Sequence, residues 1–117
     1  MNARAKGFRK FGNVPQEVDG IKFDSMKEAA RWGALKLLEN AGLIRDLKRQ
    51  VRFPLEGRDG PIRFKPSNRP AVYVADFTYF DVPKGVQIIE DAKGYRTPEY
   101  KLKRAILAAQ GVEIIET

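Results

Sequence analysis

Two carboxylates and a lysine stand at positions where they could do chemistry together. Asp76 interrupts the apolar run Val72-Tyr73-Val74-Ala75-Asp76-Phe77, and Glu90-Asp91-Ala92-Lys93 follows on the next extended segment. A lone carboxylate inside an apolar strand is costly unless it is paired or holds a metal. If residues 82–85 form the turn between the segments, Asp81 pairs with Val86 and Asp76 lies directly opposite Asp91. Directly opposed side chains have Cβ atoms roughly 4.5–5.5 Å apart. Two carboxylates that close repel unless a cation lies between them or one is protonated. Lys93 shares a strand face with Asp91. Mg²⁺ takes one or two carboxylates, waters and substrate phosphate oxygens, so the set suits a hard cation at a phosphate ester. The lysine could then orient or deprotonate an attacking water and steady the developing charge. The same residues also read as an ion-paired hairpin, Asp76–Lys93 or Asp91–Lys93, on a solvated face. A one-residue bulge would set Glu90 opposite Asp76 and make it the alternative ligand.

These residues need strands to carry them. Ala71 to Phe80 is β-branched and aromatic, Asp81 to Gly85 turns the chain, and Val86 to Lys93 forms a second strand. Upstream, residues 17–23 read as a short hairpin turning at Asp19-Gly20. Ser25 with Glu28 three residues on has capping-box spacing and opens a helix from about Met26 to Ala41, ended by Gly42. Met26, Ala30, Ala34, Leu37, Leu38 and Ala41 form one apolar stripe on it, with Trp32, Leu35 and Glu28 on another side. Glu28 is thus either a capping residue or an acid projecting among apolar neighbours.

Residues 43–56 suggest one or two strands with Pro54 at an edge or end, and 57–70, rich in Gly, Pro and Arg, a loop. Thr97-Pro98-Glu99 opens a second helix that Gly111 ends, and Val112 to Glu116 closes as a strand. A strand, helix and strand in succession imply a right-handed crossover and a parallel final strand. The expected fold is α/β (α+β): a central mixed sheet flanked by helices.

Composition narrows the chemistry further. With 117 residues there is room for one domain, here 16–117, after a basic arm over 1–15. The chain has no histidine and no cysteine, which excludes His-dependent triads, thiol catalysis, zinc fingers and disulfides. Any base must be a carboxylate, a lysine or a water on an oxygen-held ion. Lys and Arg total 22 against 15 acids, a net charge of +7 that favours a nucleic-acid partner. No apolar run approaches the roughly 20 residues of a membrane span, and the basic N-terminus lacks the apolar stretch of a secretory signal. A cytoplasmic location and no membrane partner are expected.

Asp76, then Asp91-Ala92-Lys93, with Glu28 on the preceding helix, resembles the PD-(D/E)XK nuclease superfamily, whose restriction-endonuclease-like core has the order αβββαβ. More closely, Arg9-Lys10-Phe11-Gly12-Asn13, EVDGIKFDSMKEA, YVADFTYF and IIEDAKGYRTPEYKLK look like a small phage-encoded, nuclease-like family of largely unknown function. The location would then be the host cell cytoplasm. The similarity runs from Lys10 to Gly111. It implies that Asp76 bridges to the metal, Asp91 is the second ligand, Lys93 is the catalytic lysine and Glu28 completes the ion's shell. The ion implied is Mg²⁺, with Mn²⁺ able to substitute. Ala75 stands where the superfamily has proline, and Asp91 where glutamate is commoner.

The expected activity is therefore a Mg²⁺-dependent DNA endonuclease hydrolysing phosphodiester bonds, with Holliday-junction-like branched DNA as one substrate shape. A resolvase would require a homodimer. The alternative is a catalytically inactive nuclease fold that binds DNA or a phage protein. Candidate DNA contacts are Lys6, Arg9 and Lys10 on the arm, Gln50 and Arg52 in the middle, and Tyr95, Arg96 and Lys101 around the second helix's start. Of these, Gln50 is placed near the active site by the resemblance and reads equally as an edge-strand surface residue. No helix-turn-helix or aromatic ladder is present, so backbone and shape recognition is expected.

Overall fold

The computed structural model describes residues 16–18, 20–92 and 96–117. Lys6, Arg9 and Lys10 of the arm, and Lys93 and Tyr95, lie outside the described residues. The chain enters through an antiparallel hairpin, β1 (Gln16–Val18) and β2 (Ile21–Phe23). Helix α1 (Met26–Asn40) follows, capped by Ser25, whose extended backbone lets its Oγ accept the Glu28 N–H at 3.1 Å. Gly42, at φ 79°, takes the left-handed conformation just beyond the helix that a side chain would resist.

The apolar stripe expected on α1 is not its buried face. Met26 and Leu37 are 57% and 71% exposed, while Glu28, Ala29, Trp32 and Leu35 are buried. Half of the stripe is alanine, whereas the i, i+4, i+7 line of Glu28, Trp32 and Leu35 carries large surfaces worth removing from water.

Seven further elements complete the chain: β3 (Ile44–Pro54), β4 (Glu56–Gly57), β5 (Gly60–Pro61), β6 (Val72–Asp81), β7 (Val86–Asp91), α2 (Pro98–Ala109) and β8 (Ile115–Glu116). One mixed sheet has the order β3-β6-β7-β8, antiparallel except for the parallel β7–β8 pair. The fold is α+β, and its closing strand is parallel because a helix separates it from its partner. Within residues 43–56, Ile44–Pro54 makes one long strand that ends at Pro54 on the sheet's edge, and Glu56 already belongs to β4. The segment expected as an irregular loop contains the small β4–β5 hairpin. Strand β7 ends at Asp91, two residues short of the expected Lys93.

Two registers fix the site. Asp81 pairs with Val86, as a turn over 82–85 requires, and the ladder runs to Phe77 opposite Glu90. The turn is held by Asp81, whose Oδ1 accepts from Lys84 N at 3.0 Å and whose carbonyl accepts from Gly85 N at 2.7 Å. Over these described pairs the β6–β7 register does not shift, so Glu90 faces Phe77 and not Asp76. On the other side, Arg49 pairs with Phe77 and Val51 with Ala75, which leaves Gln50 abreast of Asp76.

The hydrophobic residues form two cores. Phe23, Ala29, Trp32, Leu35, Ile44, Phe77, Tyr79 and Ile88 pack with α1. Leu55, Ala71, Tyr73, Ala75, Tyr100, Leu107 and Ile114 pack with α2. Strand β6 thus serves the α2 core before Asp76 and the α1 core after it. Asp76 occupies the seam.

Candidate active site

Neighbouring strands deliver Asp76 and Asp91 to each other at the seam. The two carboxylates lie close enough that Asp91 helps to keep the Asp76 carboxyl protonated. Asp76 Oδ2 also accepts the Ala92 N–H at 2.8 Å, and the Tyr73 hydroxyl donates to Asp91 Oδ2. Asp91 is 1% exposed. Burial, the bond to Asp91 and the charges of Asp91 and Glu28 push the Asp76 carboxyl up to about 8, against the opposing pull of the Ala92 amide. An ordinary aspartate is ionised at neutral pH, whereas the raised Asp76 carboxyl favours its protonated form there.

Glu28 approaches from α1. Its backbone N–H is capped by Ser25, but its carboxylate does not return to complete a capping box. Instead Glu28 Oε2 accepts from Gln50 Nε2 at 3.2 Å. Burial raises its pKa above the ordinary glutamate value, the Arg49 guanidinium opposes this, and Asp24 and Asp91 add to it. The mutual influence of Glu28, Asp76 and Asp91 places all three in one electrostatic neighbourhood. Among the described residues, no three acidic side chains form a ready-made metal cage. Mg²⁺ does not need one, because one or two carboxylates with waters and phosphate oxygens satisfy it. Two crowded carboxylates, one of them pushed toward its protonated form, fit such an ion, since a divalent charge can take the proton's place.

Gln50 is the strained member. Its φ of 55° lies in the left-handed region inside a strand, which costs a residue with a long side chain on the order of 1 kcal/mol. Such outliers persist where the surroundings over-determine them, and here the bond to Glu28 is the visible restraint.

Glu90 is excluded from the pair by its own partners. It is wholly buried, and Arg31 Nε and Nη2 reach Oε1 and Oε2 at 2.7 and 2.6 Å. The Tyr79 hydroxyl and Thr117 Oγ1 also donate to it. This network ties α1 to β7 one residue from Asp91. Glu90 is thus a structural anchor, its carboxylate taken up by Arg31, Tyr79 and Thr117 and not turned to Asp76.

The basic residues expected to meet DNA divide. Arg96 grips Glu116 through Nε at 2.8 Å and Nη2 at 2.5 Å, so its guanidinium is engaged with β8. Arg52 and Lys101 are exposed, and no ion pair holds either among the described residues. Sequence reasoning missed Tyr73, Arg31 and Arg49. Arg49 lies over the Phe23 ring at 4.8 Å with its buried Nε unpartnered, beside Glu28. None of the three carries a local signal, because each reaches its carboxylate across the fold.

The chain belongs to the family described as a protein of unknown function (DUF1064), whose model matches residues 8–117. No curated protein and no solved structure matches it. Among the described residues no helix is long and apolar enough to cross a membrane.

Proposed function

We propose that this member of the family is a metal-dependent nuclease of the PD-(D/E)XK type, hydrolysing phosphodiester bonds in DNA with Mg²⁺ or Mn²⁺. The observation that carries the reading is the meeting of Asp76 and Asp91 at the seam, with Glu28 bearing on both. Asp76 and Asp91 would hold the ion, and Glu28, kept off its own helix end by Gln50, would border it. When bound, the ion supplies Lewis-acid polarisation of the phosphate and a more acidic water. The protein's own contribution is placement. Ala92 N–H fixes one Asp76 oxygen, and the Tyr73 hydroxyl fixes one Asp91 oxygen. Lys93 follows Asp91 by two residues and is the available base in a chain without histidine. The +7 charge supports a polyanionic substrate. Cutting both strands of a junction would take a homodimer.

The test is cleavage of plasmid and branched DNA with Mg²⁺ by the wild type, Asp76→Ala and Lys93→Ala. Loss of at least about 100-fold in both variants is expected. Equal activity in all three sinks the reading. Metal-independent DNA binding without cleavage by the wild type would instead mark a nuclease fold that only holds DNA.

A further inference from the structure

A second site opens two residues along β3 from Gln50. A cleft of about 460 Å³ is lined by Arg52, Phe64, Arg69, Val72 and Lys103, among others. Its basic groups come from three parts of the chain: Arg52 from β3, Arg69 from the segment before β6, and Lys103 from α2. Lys103 is paired with Glu99 at 2.8 Å, whereas no ion pair engages Arg52 or Arg69 among the described residues. Phe64 is 49% exposed at its rim.

That exposure is built in. Phe64 N donates to the Arg69 carbonyl at 2.8 Å, Asn68 N to the Phe64 carbonyl at 2.7 Å, and Arg63 Nη1 to the Asn68 carbonyl at 3.2 Å. Arg63 and Pro70 form a bridge at its base. The backbone of 63–70 is thus closed on itself, and the aromatic ring and the Arg69 guanidinium are presented together. An exposed ring beside unpaired guanidinium groups matches the chemistry of an unpaired nucleotide, which offers a π-face and a phosphate side by side. A duplex keeps its base faces stacked inside and could use only the charges.

We infer that this cleft holds an unpaired strand of nucleic acid, with Phe64 stacking on a base and Arg52 and Arg69 on flanking phosphates. The inference adopts the nucleic-acid partner of the proposed function and deepens it by naming single-stranded segments, such as a flap or branch arm, as what this cleft takes.

The experiment is fluorescence anisotropy of a labelled single-stranded oligonucleotide and its duplex in EDTA. The wild type should prefer the single strand. Phe64→Ala should weaken single-strand binding at least about fivefold, and Phe64→Trp should restore it. Arg52→Gln with Arg69→Gln should lower the slope of log affinity against log salt by about 1.4, the share of two phosphates on a single strand. Unchanged binding in Phe64→Ala, an unchanged slope, or displacement by polyglutamate as readily as by an equal charge of oligonucleotide overturns the inference. A protein that binds the strand through Phe64 but cleaves nothing therefore fails the nuclease reading alone, and one that cleaves with Phe64→Ala unaffected fails this one alone.

Discussion

Gln50 donates its side-chain amide to the Glu28 carboxylate at 3.2 Å from a backbone position at φ 55° in the sheet's edge strand. The bond joins a strand to a helix across 22 residues of sequence. Ser25 Oγ still accepts the Glu28 N–H, while the Glu28 carboxylate meets Gln50 instead of returning to the Ser25 backbone as capping-box spacing suggests. A strained residue restraining an acid is an arrangement that favours function over stability.

Gln50→Gly separates those two roles. Glycine takes φ 55° freely but loses more backbone entropy, so stability should stay level or rise by up to about 1 kcal/mol. Mg²⁺-dependent cleavage should fall roughly tenfold as Glu28 loses its restraint. Urea denaturation and a cleavage assay measure the two. A Gln50→Gly protein clearly less stable than the wild type would show that the backbone there is not strained.

Asp76 gives the metal-free protein an unusual pH response. Its carboxyl rises from 3.8 to about 8 on folding, so between those values the folded chain holds a proton that the unfolded chain has lost. Stability from this group is full below about pH 4 and is lost as the pH climbs through 8. Asp76→Asn, neutral throughout, should melt higher than the wild type at pH 8, by about 4 °C if roughly 1 kcal/mol of repulsion is relieved. The advantage should vanish near pH 4. MgCl₂ should raise the wild-type Tm at pH 8 and leave the variant's unchanged. Thermal melts in EDTA and in MgCl₂ decide it, and a pH-independent difference would count against a raised Asp76 carboxyl.

Arg31 and Glu90 form the buried anchor beside Asp91. Arg31→Ala leaves a fully buried carboxylate without its cation and should cost about 3 kcal/mol. Adding Glu90→Gln removes the stranded charge while still accepting from Tyr79, and should return at least about 1 kcal/mol. Chemical denaturation of the two variants tests the coupling. Simple additivity of the losses would mean the pair does not act as a unit.

Glu116 behaves in the opposite sense to Asp76. Arg96, Tyr100 and Arg104 gather on its carboxylate, and the bond from Arg96 foremost holds it down at about 2. Its contribution is present above pH 4.5 and is lost as the pH falls toward 2. Glu116→Gln should flatten the acid limb of a urea-midpoint profile between pH 2 and 5. A limb as steep as the wild type's would place the acid sensitivity elsewhere.

Much of this was legible along the chain because it depends on near neighbours. Turn residues 82–85 fixed the β6–β7 register, and Ser25, Gly42, Thr97 and Gly111 bounded the helices through caps that need only local backbone geometry. Composition alone removed histidine and cysteine chemistry, and one turn length fixed a register that, continued one step past Phe77 and Glu90, sets Asp76 abreast of Asp91. What stayed hidden required knowing what packs on what. Periodicity could list the apolar positions of α1 but could not tell the Ala-rich stripe from the Glu28–Trp32–Leu35 face, because only the sheet decides which face has something to bury against. The capping spacing of Glu28 said nothing of Gln50, and no local pattern announces that Arg31 would claim Glu90 and leave Asp91 to Tyr73. Those choices belong to tertiary structure, since a carboxylate's role is set by which donors and charges converge on it in space.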